Sequence, residues 1–332
     1  MSVPRVTREQ VLAFRGRDLV RRLPPGARSR RAAARAGLQD SVPRAAVLSL
    51  HARVDGVDAG DWDAPDLVQL WGPRFNVYVV AAEDLAVFSL GRLPRSTAGR
   101  ERAERLADRL AGALGETTET YAEAGRMLGE SPNMLRYAAT TGRVVLRWDG
   151  ARRPTIRMVR APDVDPDEAR LELARRFLRV FGPATGDDFR RWAGVAAGDA
   201  ATTFAALEPE LSPVESPIGD ALILGADEDA LLGAGSPTAN VRLLPSGDAH
   251  WLWWGEQRAL LVPDARRRGR LWTPRVWPGA VVVDGEVAGT WRRAGAGLTV
   301  SPWGPVTDRV RDEIEAEAAA LPLDDAVTVT WS

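Results

Sequence analysis

The chain of 332 residues contains no cysteine. Disulfides, thiolate nucleophiles and zinc–thiolate sites are therefore excluded. Only two histidines occur, His51 and His250, 199 positions apart. A multi-histidine metal site is excluded by number, and a Ser-His-Asp triad is disfavoured. Lysine is absent, so all 44 basic residues are arginine. GC-rich coding accounts for that bias, yet arginine also forks onto phosphates and guanine edges and stacks on bases. No apolar run approaches the ~18 residues that would span a bilayer, so no membrane association is expected. The first ten residues, MSVPRVTREQ, hold no apolar leader, and a cytoplasmic protein is the expectation. Nothing resembles a coiled coil or a long exposed apolar surface, so a monomer is expected.

Hydrophobic residues make up 45% of the chain, enough for one large core or two to four small ones. The net charge of −1 hides an uneven distribution. Residues 1–36 carry ten arginines against Glu9 and Asp18, while acid gathers at Asp227, Glu228, Asp229 and across 308–317. A neutral total with one basic face is compatible with a polyanionic partner.

The periodicity predicts four units, at 1–105, 106–162, 163–238 and 239–332. In the first, Thr7 and Gln10 form a capping-box signature, with apolar positions at helical spacing up to Pro24-Pro25. An Arg/Ala-rich helix follows and ends near Gly37. Pro43 opens a third helix over 43–54, a strand covers 76–80, and 82–93 is helical. The second unit predicts one helix over 117–128, a second over 134–140, and strands over 143–148 and 155–159 joined by an Asp149-Gly150 hairpin turn. Helix, turn, helix, hairpin is the order of a winged helix. The third unit predicts a helix from Asp165-Pro166 to 180, a helix over 187–194 capped by Thr185, another over 201–207, and a short wing over 219–232. In the last unit, where eight of the twelve tryptophans fall, strands are expected over 259–262, 280–283, 287–291 and 327–331. The basic run Arg266 to Arg270 is expected in a loop, and 307–321 as a helix. The fold class is α+β: tandem winged-helix modules followed by a β-rich, barrel-like domain.

Ala36-Gly37-Leu38-Gln39, Pro43-Arg44-Ala45-Ala46 and His51-Ala52-Arg53-Val54 stand near the start. Phe177 to Thr185, Asp188-Phe189 and Trp192-Ala193-Gly194 follow in the middle. Arg242-Leu243-Leu244-Pro245 with Asp248, and Val283-Asp284-Gly285 with Gly289-Thr290-Trp291, complete the series. Together and in this order, these segments resemble the AlkZ-like winged-helix DNA glycosylase family. The resemblance implies a C-shaped protein with duplex DNA in its concavity. It also implies a monofunctional hydrolase that excises bulky or crosslinked N-alkylated purines, with two polar side chains around one hydrophobic residue after the Gly-Leu. Such a cationic purine is already a good leaving group, so the protein need only hold a water and stabilise a sugar with oxocarbenium character; no metal or cofactor is required. Nucleoid association would follow from DNA binding.

This chain departs from the pattern. Gln39 occupies the first polar position, Asp40 the hydrophobic one and Ser41 the second polar one. These three are the candidate catalytic residues; Asp40 could equally cap the following helix. If the segment is helical, Asp40 is rotated about 100° from its neighbour. At 74–79, Arg74 is kept, while Phe75, Asn76 and Tyr78 stand where the family commonly has Gly, Thr and His. Candidate DNA contacts are Arg31, Arg35, Arg74, Tyr78, Asn133, Arg136, Arg147, Arg152 and Arg153. Each has a structural alternative: an acidic partner for Arg74, a core position for Tyr78, packing against a neighbouring module for Asn133 and Arg136, and a solvated face or hairpin tip for the other arginines. The functional expectation is a duplex DNA-binding protein that could act as a DNA glycosylase. A non-catalytic DNA-binding or protein-interaction module on the same scaffold is the alternative.

Overall fold

The computed structural model describes residues 3–150, 152–236, 240–323 and 326–332. The expected boundary between 238 and 239 lies outside the described residues. The architecture is α+β, with four sheets and no helix long and apolar enough to cross a membrane among the described residues.

The first segment contains α1 (Arg8–Leu19), α2 (Ala27–Ala33), β1 (Leu38–Gln39), α3 (Ala45–His51), β2 (Leu67–Trp71), β3 (Val77–Ala81), α4 (Leu85–Ser89) and α5 (Thr97–Leu114). The Thr7 capping box forms as expected: Gln10 N donates to Thr7 Oγ1 at 3.2 Å and Thr7 N to Gln10 Oε1 at 2.8 Å. The three strands form one sheet in the order β1-β3-β2. Gly37 turns the chain into β1 with φ +74°, and an added Cβ there would lie 2.8 Å from the Tyr78 ring. Glycine at this point of the Ala-Gly-Leu-Gln stretch is thus required by conformation and by close approach. The helix expected from Pro43 starts at Ala45, because Arg44 adopts φ +70°. The long helix α5, missed by periodicity, crosses residue 105.

The next segment holds β4 (Thr118–Thr120), α6 (Tyr121–Leu128), α7 (Pro132–Leu135), β5 (Val144–Arg147) and β6 (Thr155–Met158), with sheet order β4-β6-β5. The single helix expected over 117–128 divides: residues 118–120 pair with β6, and Thr120 caps α6. The helix expected over 134–140 is only the four-residue α7 followed by a 3-10 turn at 138–141. Asp149-Gly150 does not make a two-residue turn. Arg147 pairs with Thr155, leaving a seven-residue loop, because the backbone of Trp148 is captured by Gln69.

The third segment comprises α8 (Pro166–Phe181), α9 (Gly186–Ala193), α10 (Ala197–Leu207), β7 (Leu211–Ser216), β8 (Gly219–Leu224) and α11 (Glu228–Leu232). Asp165 caps α8, and Thr185 and Asp188 form a second capping box on α9. Phe177, Phe181, Phe189 and Trp192 interlock with ring centroids 5.4–6.3 Å apart. Trp253 joins this cluster through Phe181 at 5.3 Å, so the largest core bridges the third and last segments.

The last segment is β9 (Val241–Leu244), α12 (Gly255–Leu261), α13 (Ala265–Leu271), β10 (Gly279–Val283), β11 (Glu286–Ala294), β12 (Gly297–Pro302), α14 (Asp308–Ala319) and β13 (Thr328–Trp331). Here the barrel expectation is corrected. The five strands form an open sheet, β13-β12-β11-β10-β9, with β9 and β13 as its edges. The apolar run expected as a strand at 259–262 lies largely within α12, a case where a short apolar run does not separate strand from helix. The basic run 266–270 is helical, capped by Asp264. Asp284-Gly285 does form the tight turn expected, with φ +50° and +81° between the paired Val283 and Glu286.

Candidate active site

Gln39 closes the short strand β1, opposite Tyr78 on β3. Its amide oxygen accepts from the Tyr78 hydroxyl and from Arg74 Nη2, both at 3.2 Å. Arginine can only donate, so the amide orientation is set: oxygen toward Arg74, nitrogen away from it. That nitrogen faces the 245–250 turn, where a Cβ on Gly247 would sit 2.8 Å from it.

Arg74 lies in the turn between β2 and β3, and both it and Phe75 are left-handed, with φ +54° and +57°. Two consecutive non-glycine residues in that region cost about 1–3 kcal/mol each, and the surroundings must hold them. Arg74 Nη1 reaches the Trp192 carbonyl at 3.3 Å, and its guanidinium stacks 4.5 Å over Trp254. The Phe75 ring is held by Arg92 at 4.7 Å and edge-on by Tyr137 at 4.8 Å. Arg92 is buried and donates to the Ala193 and Trp71 carbonyls; burial pushes its pKa down to about 9. Burial likewise raises the Tyr78 phenol, which stays a neutral donor to Gln39.

Asp40 faces the other way. The helical rotation considered from sequence does not apply, because the ladder continues through Asp40 N to Val77 O, and adjacent residues in extended chain point to opposite faces. Asp40 is 4% exposed; Oδ1 accepts from Ala46 N at 3.0 Å and Oδ2 from Gln69 Nε2 at 2.6 Å. The first bond caps α3, the alternative reading of this residue. Burial pushes its carboxyl up to about 7, against both hydrogen bonds and the Arg44 guanidinium. Gln69 also accepts from Trp148 N at 2.5 Å and donates to Trp148 O at 3.1 Å, strapping Asp40 to the β5–β6 loop. Ser41 lies past the strand end and is exposed.

Of the sequence-derived DNA contacts, Arg74 and Tyr78 converge on Gln39. Arg31 and Arg35 line a groove near Glu83 and Asp84, at the other end of β3. Asn133 and Arg136 neighbour each other at α7, where Arg136 Nε donates to Asn133 O at 2.8 Å. Arg147 pairs with Asp63 at 2.6 Å and lies 5.3 Å over Trp62. Arg152 and Arg153 are exposed in the β5–β6 loop. Sequence reasoning missed Gln69, Gly247 and the stacking role of Trp254. Only Gly247 had a signal, its place between two residues of the Pro245–Asp248 anchor. Among the described residues, no group of three or more acidic or histidine side chains could hold a metal ion. The site is an oriented amide backed by a fixed guanidinium, able to hydrogen-bond a water or a base edge.

The profile of the AlkZ-like family, described as DNA glycosylase AlkZ-like, matches residues 32–322. The chain belongs to the AlkZ-like DNA glycosylase family. An interstrand DNA cross-link repair glycosylase of Streptomyces sahachiroi is 31% identical over 163 residues, which span 47% of this chain and 42% of that protein. The aligned stretch therefore covers less than half of that curated relative. The structure of the Streptomyces sahachiroi DNA glycosylase AlkZ superposes with a TM-score of 0.79 at 20% identity, over 99% of this chain and all of that one. At that identity the likeness is one of fold.

Proposed function

We propose that this AlkZ-like protein hydrolyses the N-glycosidic bond of N-alkylated purines in duplex DNA, with Gln39 at the reacting centre. The observation that carries the reading is the Gln39 amide, fixed by Tyr78 on β3 and by Arg74 in a strained turn. Strain of this kind clusters at functional sites. A cationic purine departs without prior protonation, so an oriented amide that places water at the anomeric carbon supplies what the lesion itself does not. Asp40 acts from behind, holding the strand that carries Gln39. The first three segments serve as winged-helix modules. Support comes from the order strand, two helices, hairpin in the second segment, directly after α5, with β4 alongside β6 of the hairpin. In this reading Asn133, Arg136, Arg147, Arg152 and Arg153 contact DNA backbone.

A second reading, a DNA-binding scaffold without chemistry, is favoured by one observation: both oxygens of Asp40 are engaged and Ser41 points to solvent. The deciding experiment is single-turnover excision from a duplex bearing one 7-methylguanine, comparing the native chain with Gln39→Ala. Release of the base that falls at least tenfold in the variant supports the first reading. Salt-dependent binding without release supports the second.

A further inference from the structure

The arginines at the far end of β3 form a pattern that the Gln39 site does not use. Arg28 and Arg31 lie about one turn apart on α2, and Arg35 follows two residues past its last residue, Ala33. Arg175, Arg176 and Arg179 line the facing side from α8. All six border one groove of about 850 Å³.

The two rows are compensated unequally. On α8, Arg175 pairs with Glu210 at 2.7 Å, Arg176 with Asp84 and, at 2.9 Å, with Glu172, and Arg179 with Asp227 at 3.6 Å. On the α2 side, Arg28 has no ion pair among the described residues. The nearest carboxylate to Arg31 is Glu83 at 3.9 Å, itself 66% exposed, and Arg35 lies 3.7 Å from Asp18. Exposed pairs at such distances contribute little, and a phosphate accepting two parallel N–H bonds outcompetes them. Arg28 and Arg31 are about 4.5 Å apart along α2, more than one charge spacing of a DNA strand, and Arg35 extends the row past the helix end. That geometry suits a linear polyanion better than an isolated anion.

We propose that this groove is a second phosphate-binding site, which grips the backbone of the DNA strand flanking the lesion. The proposal rests on the reading of the protein as a DNA glycosylase. The groove lies at the end of β3 opposite Gln39, so the DNA would be held at two points.

The test is the salt dependence of binding to a labelled 30-base-pair duplex carrying one 7-methylguanine, for the native chain, for R28A/R31A/R35A and for R28K/R31K/R35K. Each phosphate no longer neutralised should flatten the slope of log K against log salt by about 0.9. The alanine variant is expected to drop about two to three in slope, and the lysine variant to regain most of it. An unchanged melting temperature in both variants separates a missing grip on phosphate from a damaged fold. If the alanine slope equals the native one, the proposal is overturned. It is equally overturned if the slope holds while stabilisation by inorganic pyrophosphate disappears, which would make the groove a small-anion site. Excision by the native chain with an unchanged alanine slope sinks this inference alone; no binding of the duplex by the native chain sinks the parent reading with it.

Discussion

Asp248 receives both terminal nitrogens of Arg53, Nη1 on Oδ2 and Nη2 on Oδ1, each at 2.8 Å, and the two side chains are essentially unexposed. Ser49 Oγ at 2.6 Å and His250 N at 2.9 Å complete the carboxylate's partners. Burial works against its ionisation, but the Arg53 guanidinium and these bonds outweigh it and hold the carboxyl below its usual value. The pair joins the segment just past α3 to the turn that presents Gly247 to Gln39.

Removing one partner strands the other, buried and charged. Asp248→Asn is therefore expected to cost about 3–5 kcal/mol in urea unfolding. The double change Arg53→Met with Asp248→Leu should recover much of that loss, because no lone charge remains. A single variant that costs under about 1 kcal/mol would show that the pair is not what seats the turn.

Gln69 offers a second test. Its amide satisfies the Trp148 backbone in both directions and also donates to Asp40. Gln69→Leu leaves the Trp148 N–H and one Asp40 oxygen without their partners, at about 1–3 kcal/mol for such a buried group. Hydrogen exchange at the Trp148 amide should speed up markedly, while amides in the β10–β11 ladder stay protected. Equal protection of Trp148 in variant and native chain would rule out the strap.

These two relationships differ in how far the sequence betrays them. Arg53 and Asp248 both lie in stretches that carry the family resemblance, so their importance was legible although their pairing was not. Gln69 sits in an ordinary alternating strand and acts on a residue 79 positions away, and no local pattern reports that. The capping box at Thr7 and the cap at Thr185 were legible because each closes within four residues. The dipeptide Asp-Gly was legible only where nothing competed: it makes a tight turn at 284–285, while at 149–150 the Gln69 strap opens the hairpin. The helix α12 was misread because a four-residue apolar run has no period. Gln39 was singled out on residue type, whereas the orientation of Asp40 needed the knowledge that residues 38–40 are extended.

Asp40 also makes a pH prediction. A carboxyl raised to about 7 in the folded chain, against about 3.9 when unfolded, binds more protons folded than unfolded. Its contribution is complete below pH ~4 and is lost as pH rises through the folded value, at no more than about 1.4 kcal/mol per pH unit. Asp40→Asn carries a fixed cost, since one amide nitrogen would meet Ala46 N or Gln69 Nε2, but it does not titrate. The native-minus-variant stability difference should therefore fall between pH 4 and 7 and level off above. Chemical unfolding at five pH values measures it. A flat difference would mean that the hydrogen bonds from Ala46 and Gln69 keep the carboxylate ionised throughout.

Gly247 supplies the most local test of the site. It adopts φ +77°, where an alanine costs about 1 kcal/mol, and the new methyl carbon would stand 2.8 Å from Gln39 Nε2. The obstructing atom is the end of a flexible side chain, so Gln39 can swing away and the fold survives. What disappears is the orientation set by Arg74 and Tyr78. Gly247→Ala should melt within a few degrees of the native chain, yet slow excision of 7-methylguanine at least tenfold. Because both changes act on one amide, Gln39→Ala combined with Gly247→Ala should be no slower than Gln39→Ala alone. Additive losses in the double variant would place the effect of Gly247 somewhere other than Gln39, for instance in the seat of the 245–250 turn on Arg53.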